Sequence, residues 1–353
     1  MDFEMKSIYS KMVAQLGLFE SDIMCIASTL DGAMIAIAPE KGDIELWDVA
    51  TGTHIVQIAI PTVERDSQFN TKENFQEVNS PYSLALSDDG LFVAASFRQT
   101  GNIYIWTFEG ELLGYFQGEK GFMRDVRFLP GTSLLLIVLR DTRIQLWDAS
   151  TQKIHTVLLG VNSQQSRLLA KAGYVYNIAC SPYSPYIALD FTDKHTCISL
   201  LEIGMEREKI VCNKQRSFFW NEARHWNQLQ YRQNTQQIYH LSQKAIEGYD
   251  IHQQKSVGPI QYAGIQPMSF CFSPQGDILA FADYDGLVYL WDLEKHTLLS
   301  QFDALEHVIP EYLHYDRSIQ WMNWLPQSHL LATAGIKMTD GSGMTTIKLW
   351  QIV

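Results

Sequence analysis

The feature that most constrains this chain is a repeat. Three segments, "GDIELWDVATG" ending at Gly52, "TRIQLWDASTQ" ending at Gln152 and "GLVYLWDLEKH" ending at His296, share one pattern: alternating apolar residues, a Trp-Asp pair and then a polar turn. Two more, "GNIYIWTFEG" around Trp106 and "TTIKLWQIV" around Trp350, keep all but the Asp. Weaker copies at Leu201 and Tyr249 fill the gap, giving landmarks at 47, 106, 147, 201, 249, 291 and 350, spaced about 41 to 59 residues apart. A period of that length belongs to one architecture repeated. Separate domains with unrelated cores would not produce it.

Around each landmark the alternation supplies three further strands. "SLALSDDG" then "LFVAASF" precede Trp106, and "SFCFSPQG" then "DILAFADYDG" precede Trp291; the Pro, Asp and Gly between them provide the turns. Downstream runs such as "THIVQIAI", "ELLGYFQG", "KIHTVLLG" and "TLLSQFDA" supply a fourth. Four strands per unit and seven units predict an all-β chain of four-stranded blades. The fifth unit, rich in Gln and Asn, places its first strand near Trp226 to Tyr231 and its second near Gln237 to Leu241.

These landmarks resemble the WD-repeat β-propeller family over essentially the whole chain. The resemblance implies a single seven-bladed propeller: blade 1 about 23–60, blade 2 about 82–118, blade 3 about 122–160, blade 4 about 174–212, blade 5 about 223–262, blade 6 about 266–304 and blade 7 about 318–353 plus 10–17. It also departs from the family, since no Gly-His dipeptide occurs and the buried His, Ser or Thr, Trp and Asp network is incomplete. Trp47, Trp106, Trp147, Trp291 and Trp350 read as packing residues between blades. Asp141, Asp193 and Asp285, in turns between second and third strands, take the family's structural acceptor position.

The seventh unit runs out after its third strand, "TIKLWQI". An edge strand left this way presents unpaired backbone groups. "SKMVAQLG", residues 10 to 17, matches "KIHTVLLG" in length and pattern, so the amino-terminal strand is expected to complete the last blade and close the ring. A short amphipathic helix through Ile8, Met12 and Leu16 is the competing reading.

Composition narrows the function. A net charge of −12 argues against direct nucleic-acid binding, which depends on clustered Lys and Arg, and suits a protein or peptide partner, a basic one included. No apolar run is long enough for a membrane span. Five widely spaced cysteines without a CxxC pair fit a reducing cytosol, and a cytoplasmic location is expected. P-loop, GxGxxG, HExxH and GxSxG motifs are absent. "STQK", Ser150 to Lys153, has the SxxK spacing but lies on a turn. The ten histidines show no ligand spacing, with His225, His240 and His252 reading as surface or hydrogen-bonded residues. No catalytic residue, metal or cofactor is assigned.

Loop length points to one face. Residues 61 to 81, 161 to 173, 213 to 222, 305 to 317 and 335 to 345 read as connections longer than the fold needs, and the resemblance places all five on one end of the ring. Family members bind partners through the start of each blade's first strand on that end. By position these residues are Met24, Tyr82, Phe122, Arg124, Tyr174, Tyr176, His225, Asn227, Met268 and Gln320, with an aromatic arc and one Arg over blades two to four. The expected role is a non-catalytic interaction scaffold or adaptor holding a peptide or partner domain. A subunit of a larger assembly, or an enzyme using the central channel, are the alternatives.

Overall fold

The computed structural model describes residues 10–61, 68–70, 76–78, 80–98, 100–117, 125–138, 144–159, 174–181, 186–192, 196–206, 209–220, 229–232, 234–242, 245–260, 264–305, 319–325, 329–339 and 342–353. The described strands make seven four-stranded antiparallel sets, as the repeat predicts, the third and fourth joined by a short parallel pairing of Leu158 with Val211 and Leu159 with Cys212. The first is Ile23–Ser28, Met34–Pro39, Ile44–Asp48 and Thr53–Ile58; the second is Pro81–Leu86, Phe92–Phe97, Ile103–Thr107 and Leu112–Phe116. The third is Val126–Phe128, Leu134–Val138, Ile144–Asp148 and Lys153–Leu159, and the fourth Tyr174–Cys180, Tyr186–Thr192, Thr196–Glu206 and Lys209–Trp220. Leu229–Tyr231, Gln237–Leu241, Ile246–Asp250 and Lys255–Ile260 form the fifth; Ser269–Phe272, Ile278–Ala282, Leu287–Asp292 and Thr297–Asp303 form the sixth. The seventh joins Ile319–Leu325, Leu330–Thr339 and Ser342–Ile352 to Ser10–Phe19.

That last pairing answers what the final strand is bonded to. Ser10–Phe19 runs antiparallel to Ser342–Ile352, with Ser10 opposite Ile352 and Leu16 opposite Ile347. It extends two residues beyond the expected Gly17, to Phe19, and Leu16 and Phe19 are its buried side chains. The strand alternation therefore wins over the helical spacing.

Two expected connections are strands instead. Residues 213–220 continue the fourth strand of the fourth sheet, with Thr196 opposite Trp220 and Glu206 opposite Lys209, so that sheet ends at 220 rather than 212. Residues 335–339 and 342–345 pair as a hairpin, out to Thr339 opposite Ser342. Within the 61–81 connection, Gln68–Asn70 pairs with Gln76–Val78. The 161–173 connection lies outside the described residues, as does the 305–317 connection from 306 onward. In the fifth sheet Gln237–Leu241 falls where expected, and the described first strand is Leu229–Tyr231.

The chain divides into two compact units, one holding Met1–Ile23, Thr51–Thr53 and Arg232–Val353, the other Met24–Ala50 and His54–Tyr231. Within the second unit the first two sheets share a core of Ile44, Leu46, Leu84, Val93, Phe97 and Trp106, and the second and third share Ile103, Ile105, Val126, Leu135 and Trp147. Being covered on both faces explains why the middle strands are near-continuous apolar runs while Thr53–Ile58 is mostly exposed. Within the first unit Trp350 packs among Val288, Leu290 and Trp324, and Trp291 against Phe270 and Tyr289. Trp47 is half-buried, donating its indole N–H to Glu45 at 3.0 Å and meeting the His54 ring edge-on. Trp350 donates to Thr333 Oγ1 at 2.9 Å.

At the turn between first and second strands, consecutive sheets are tied together. The Asp88 carboxylate accepts from the Gly131 N–H, and Arg232 Nε donates to the Gly276 carbonyl at 2.6 Å. In the sixth sheet the acceptor of the turn between second and third strands is Asp283, not the exposed Asp285. Asp283 takes the N–H groups of Asp285 and Leu287 and the Tyr289 hydroxyl at 2.9, 3.0 and 2.8 Å. Asp141 and Asp193 lie outside the described residues.

Candidate interaction site at the start of the first strands

Six of the seven first strands are followed by a backbone N–H that bonds back to the second strand: Thr29 to Met34, Ser87 to Phe92, Leu129 to Leu134, Ser181 to Tyr186, Arg232 to Gln237 and Ser273 to Ile278. Counting five residues back from those donors reaches Met24, Tyr82, Arg124, Tyr176, Asn227 and Met268. Six of the ten sequence candidates thus share one level of the repeat. Met24, Tyr82 and Met268 are half-buried. Tyr174, Tyr176 and Gln320 lie in first strands, whereas Phe122, Arg124, His225 and Asn227 fall outside the described residues.

The strands are irregular at this level. In the second sheet the pairing jumps from Pro81 opposite Phe97 to Ser83 opposite Ser96, leaving Tyr82 as the extra residue. The same shift isolates Tyr176 between Val175 and Asn177, and Gln320 between Ile319 and Trp321. A β-bulge breaks the two-residue alternation and re-aims the side chain it carries. None of the three is Gly or Pro, so the sequence carries no local marker for them.

Directly below lies a buried polar latch that the sequence reading missed. Asp125, 5% exposed, accepts the Ser83 hydroxyl at 2.5 Å and its neighbour Val126 N–H at 3.0 Å on Oδ1, and the Ile178 N–H at 2.7 Å on Oδ2. One carboxylate therefore joins the first strands of the second, third and fourth sheets, at the residue after Tyr82 and two residues past Tyr176. Arg127 NH2 sits 3.5 Å from Asp125, and its NH1 donates to the Leu84 carbonyl at 3.2 Å. A buried carboxylate costs several kcal/mol of desolvation unless it is met by charge and donors, and here both are supplied. A related link in the other unit runs from Ser269 Oγ to the Ile319 carbonyl at 3.0 Å.

The Ser83 hydroxyl donates a hydrogen bond to Asp125 with no imidazole in the pair, which is not the nucleophile–base–orienter chain of a hydrolase. In the SxxK segment Ser150 likewise donates to Asp148, at 2.6 Å. Partial burial pushes the Asp148 carboxyl up, but the Ser150, Thr151 and Ser133 hydroxyls more than offset it and hold the group well below the usual range. Among the described residues no group of three or more His, Cys, Asp or Glu side chains could hold a metal ion, and no helix is long and apolar enough to cross a membrane.

Seven four-stranded antiparallel sheets, with Trp on the third strand of five of them, are the complement of a seven-bladed β-propeller. Residues 263–292, which cover the first three strands of the sixth sheet, match the family model described as WD domain, G-beta repeat; together with the sheets, the match fits the WD-repeat β-propeller family. Proteins of that family are typically non-enzymatic, and their repeats generally mediate protein–protein interaction or scaffolding. A comparison with curated proteins finds no match.

Proposed function

We propose that this protein is a non-catalytic, cytosolic interaction module that holds a peptide or partner domain at the end where the first strands begin, around Tyr82 and Tyr176. The same proposal takes the seven sheets as one ring closed through the pairing of Ser10–Phe19 with Ser342–Ile352. The observation that carries the contact surface is the repeated bulge: Tyr82, Tyr176 and Gln320 are each the extra residue of a first strand, in three separate sheets. A bulge weakens its own ladder, and its recurrence at one level fits selection for what the side chain meets. Tyr is among the residue types that dominate interface energetics. The Asp125 latch supports the reading by holding two of these strands, those of Tyr82 and Tyr176, to the first strand of the third sheet.

Affinity capture from lysate with wild-type protein and with the double variant Tyr82→Ala, Tyr176→Ala tests it. The expected result is loss of the specific partners from a variant that keeps the wild-type circular dichroism and melting temperature. Retention of every partner by the folded variant overturns this surface.

A further inference from the structure

Arg127 stands apart at its level of the repeat. Two residues before the closing donors Thr29, Ser87, Leu129, Ser181 and Arg232 lie Ala27, Ala85, Arg127, Ala179 and Gln230. Alanines thus occupy this level on the strands that flank Arg127, both of them buried, while the Arg127 side chain is 42% exposed. Its NH1 is directed at the Leu84 and Val126 carbonyls and the Ser83 hydroxyl at 3.2, 3.4 and 3.5 Å, and NH2 at Asp125.

The guanidinium is therefore positioned without being used up. A guanidinium has five N–H donors, and among the described residues no acceptor meets Nε. Asp125 offsets the charge only in part, since the contact is a single one at 3.5 Å and its oxygens are shared among a hydroxyl and two backbone N–H groups. Two neighbours sense the balance. Burial pushes the Cys25 and Cys180 thiols up to about 12, and at both the opposing pull of Arg127 exceeds the push of Asp125, with Asp88 a smaller influence at Cys180.

We infer that Arg127 anchors a carboxylate of the bound segment, so that the peptide or loop taken by this end of the strands carries an Asp or Glu side chain. The inference rests on the interaction-module reading and gives its partner a chemistry opposite to the one suggested by the net charge of −12. An already oriented guanidinium loses little side-chain entropy on binding, and a charge-assisted pair in a half-buried setting is stronger than one in open solvent.

The test is selection of phage-displayed random peptides on the full-length protein. Expected are binders that share an acidic residue, whose Glu→Gln or Asp→Asn forms bind about tenfold more weakly, a difference of about 1.4 kcal/mol. Arg127→Gln should erase that difference. Because this variant can fail to fold, the Arg127 Nε–H resonance of wild-type protein is followed as well, and it should shift with the acidic peptide and not with its amide form. Binders with no acidic residue in common, or an Arg127 resonance indifferent to the acid-to-amide change, overturn the anchor. If Tyr82→Ala, Tyr176→Ala still abolishes partner capture in that case, the module reading stands and only the anchor falls.

Discussion

Ser83 Oγ donates to Asp125 Oδ1 at 2.5 Å, from the first strand of one sheet to the residue that opens the first strand of the next. Both residues are buried, and the second carboxylate oxygen reaches a third sheet at Ile178. Removing the carboxylate takes one acceptor each from a hydroxyl, two backbone N–H groups and a guanidinium. Asp125→Ala should cost about 3 kcal/mol and Ser83→Ala about 1 kcal/mol in urea unfolding, and the two should not add, because they share one bond. Equal and additive losses would show that the latch does not act as a unit.

The amino-terminal strand is held mainly by Leu16, which is fully buried opposite Ile347, whereas Lys11 on the same strand is exposed. Leu16→Ala should cost about 3 kcal/mol, while Lys11→Ala should fall within about 0.5 kcal/mol of wild type. Deleting residues 1–19 uncovers the edge of Ser342–Ile352 and should give a lower melting temperature with concentration-dependent light scattering.

His240, in the second strand of the fifth sheet, is fully buried, and burial lowers its pKa from 6.5 to about 4. The unfolded chain binds its proton at higher pH than the folded one. The neutral imidazole therefore contributes its full stability above about pH 6.5, and that contribution falls progressively as the pH drops to about 4, by about 3 kcal/mol in all. His240→Gln should flatten the fall in denaturation midpoint between pH 7 and pH 4. An unchanged slope would mean that other groups set it.

Gly248 faces Tyr239 across the ladder, and a methyl group built at Gly248 would lie 2.6 Å from the ring. Tyr239 is itself buried against Phe272 and bonded to Gln237. Gly248→Ala should destabilise by about 1–3 kcal/mol through overpacking, and Tyr239→Leu in the same chain should restore part of the loss. Stability equal to wild type in the single variant would contradict the packing described for this sheet.

The repeat made the strand framework legible because the alternation and the turn residues act locally: the Trp landmarks at 106, 147 and 350 lead directly to buried third strands. Length alone misled at 213–220 and 335–345, where extra residues lengthen a hairpin instead of a loop; a β-ladder can run on wherever both strands stay extended. Counting along the repeat leads to Tyr82 and Tyr176 but not to their bulges, since a bulge is a property of two strands together. Asp125 was invisible for the same reason: its partners Ser83 and Ile178 lie 42 and 53 residues away in sequence. The repeat position points to Asp285, but either carboxylate can serve a turn, and only the fold shows that Asp283 is the acceptor.

Tyr82 opens the first strand of the second sheet and Leu91, 55% exposed, lies at the turn that ends it, so the two mark opposite ends of one sheet. A photo-crosslinking amino acid placed at either position, with irradiation in lysate, reports directly which end meets the partner. The account predicts a partner adduct from position 82 and none from position 91; an adduct from position 91 with none from position 82 would contradict it.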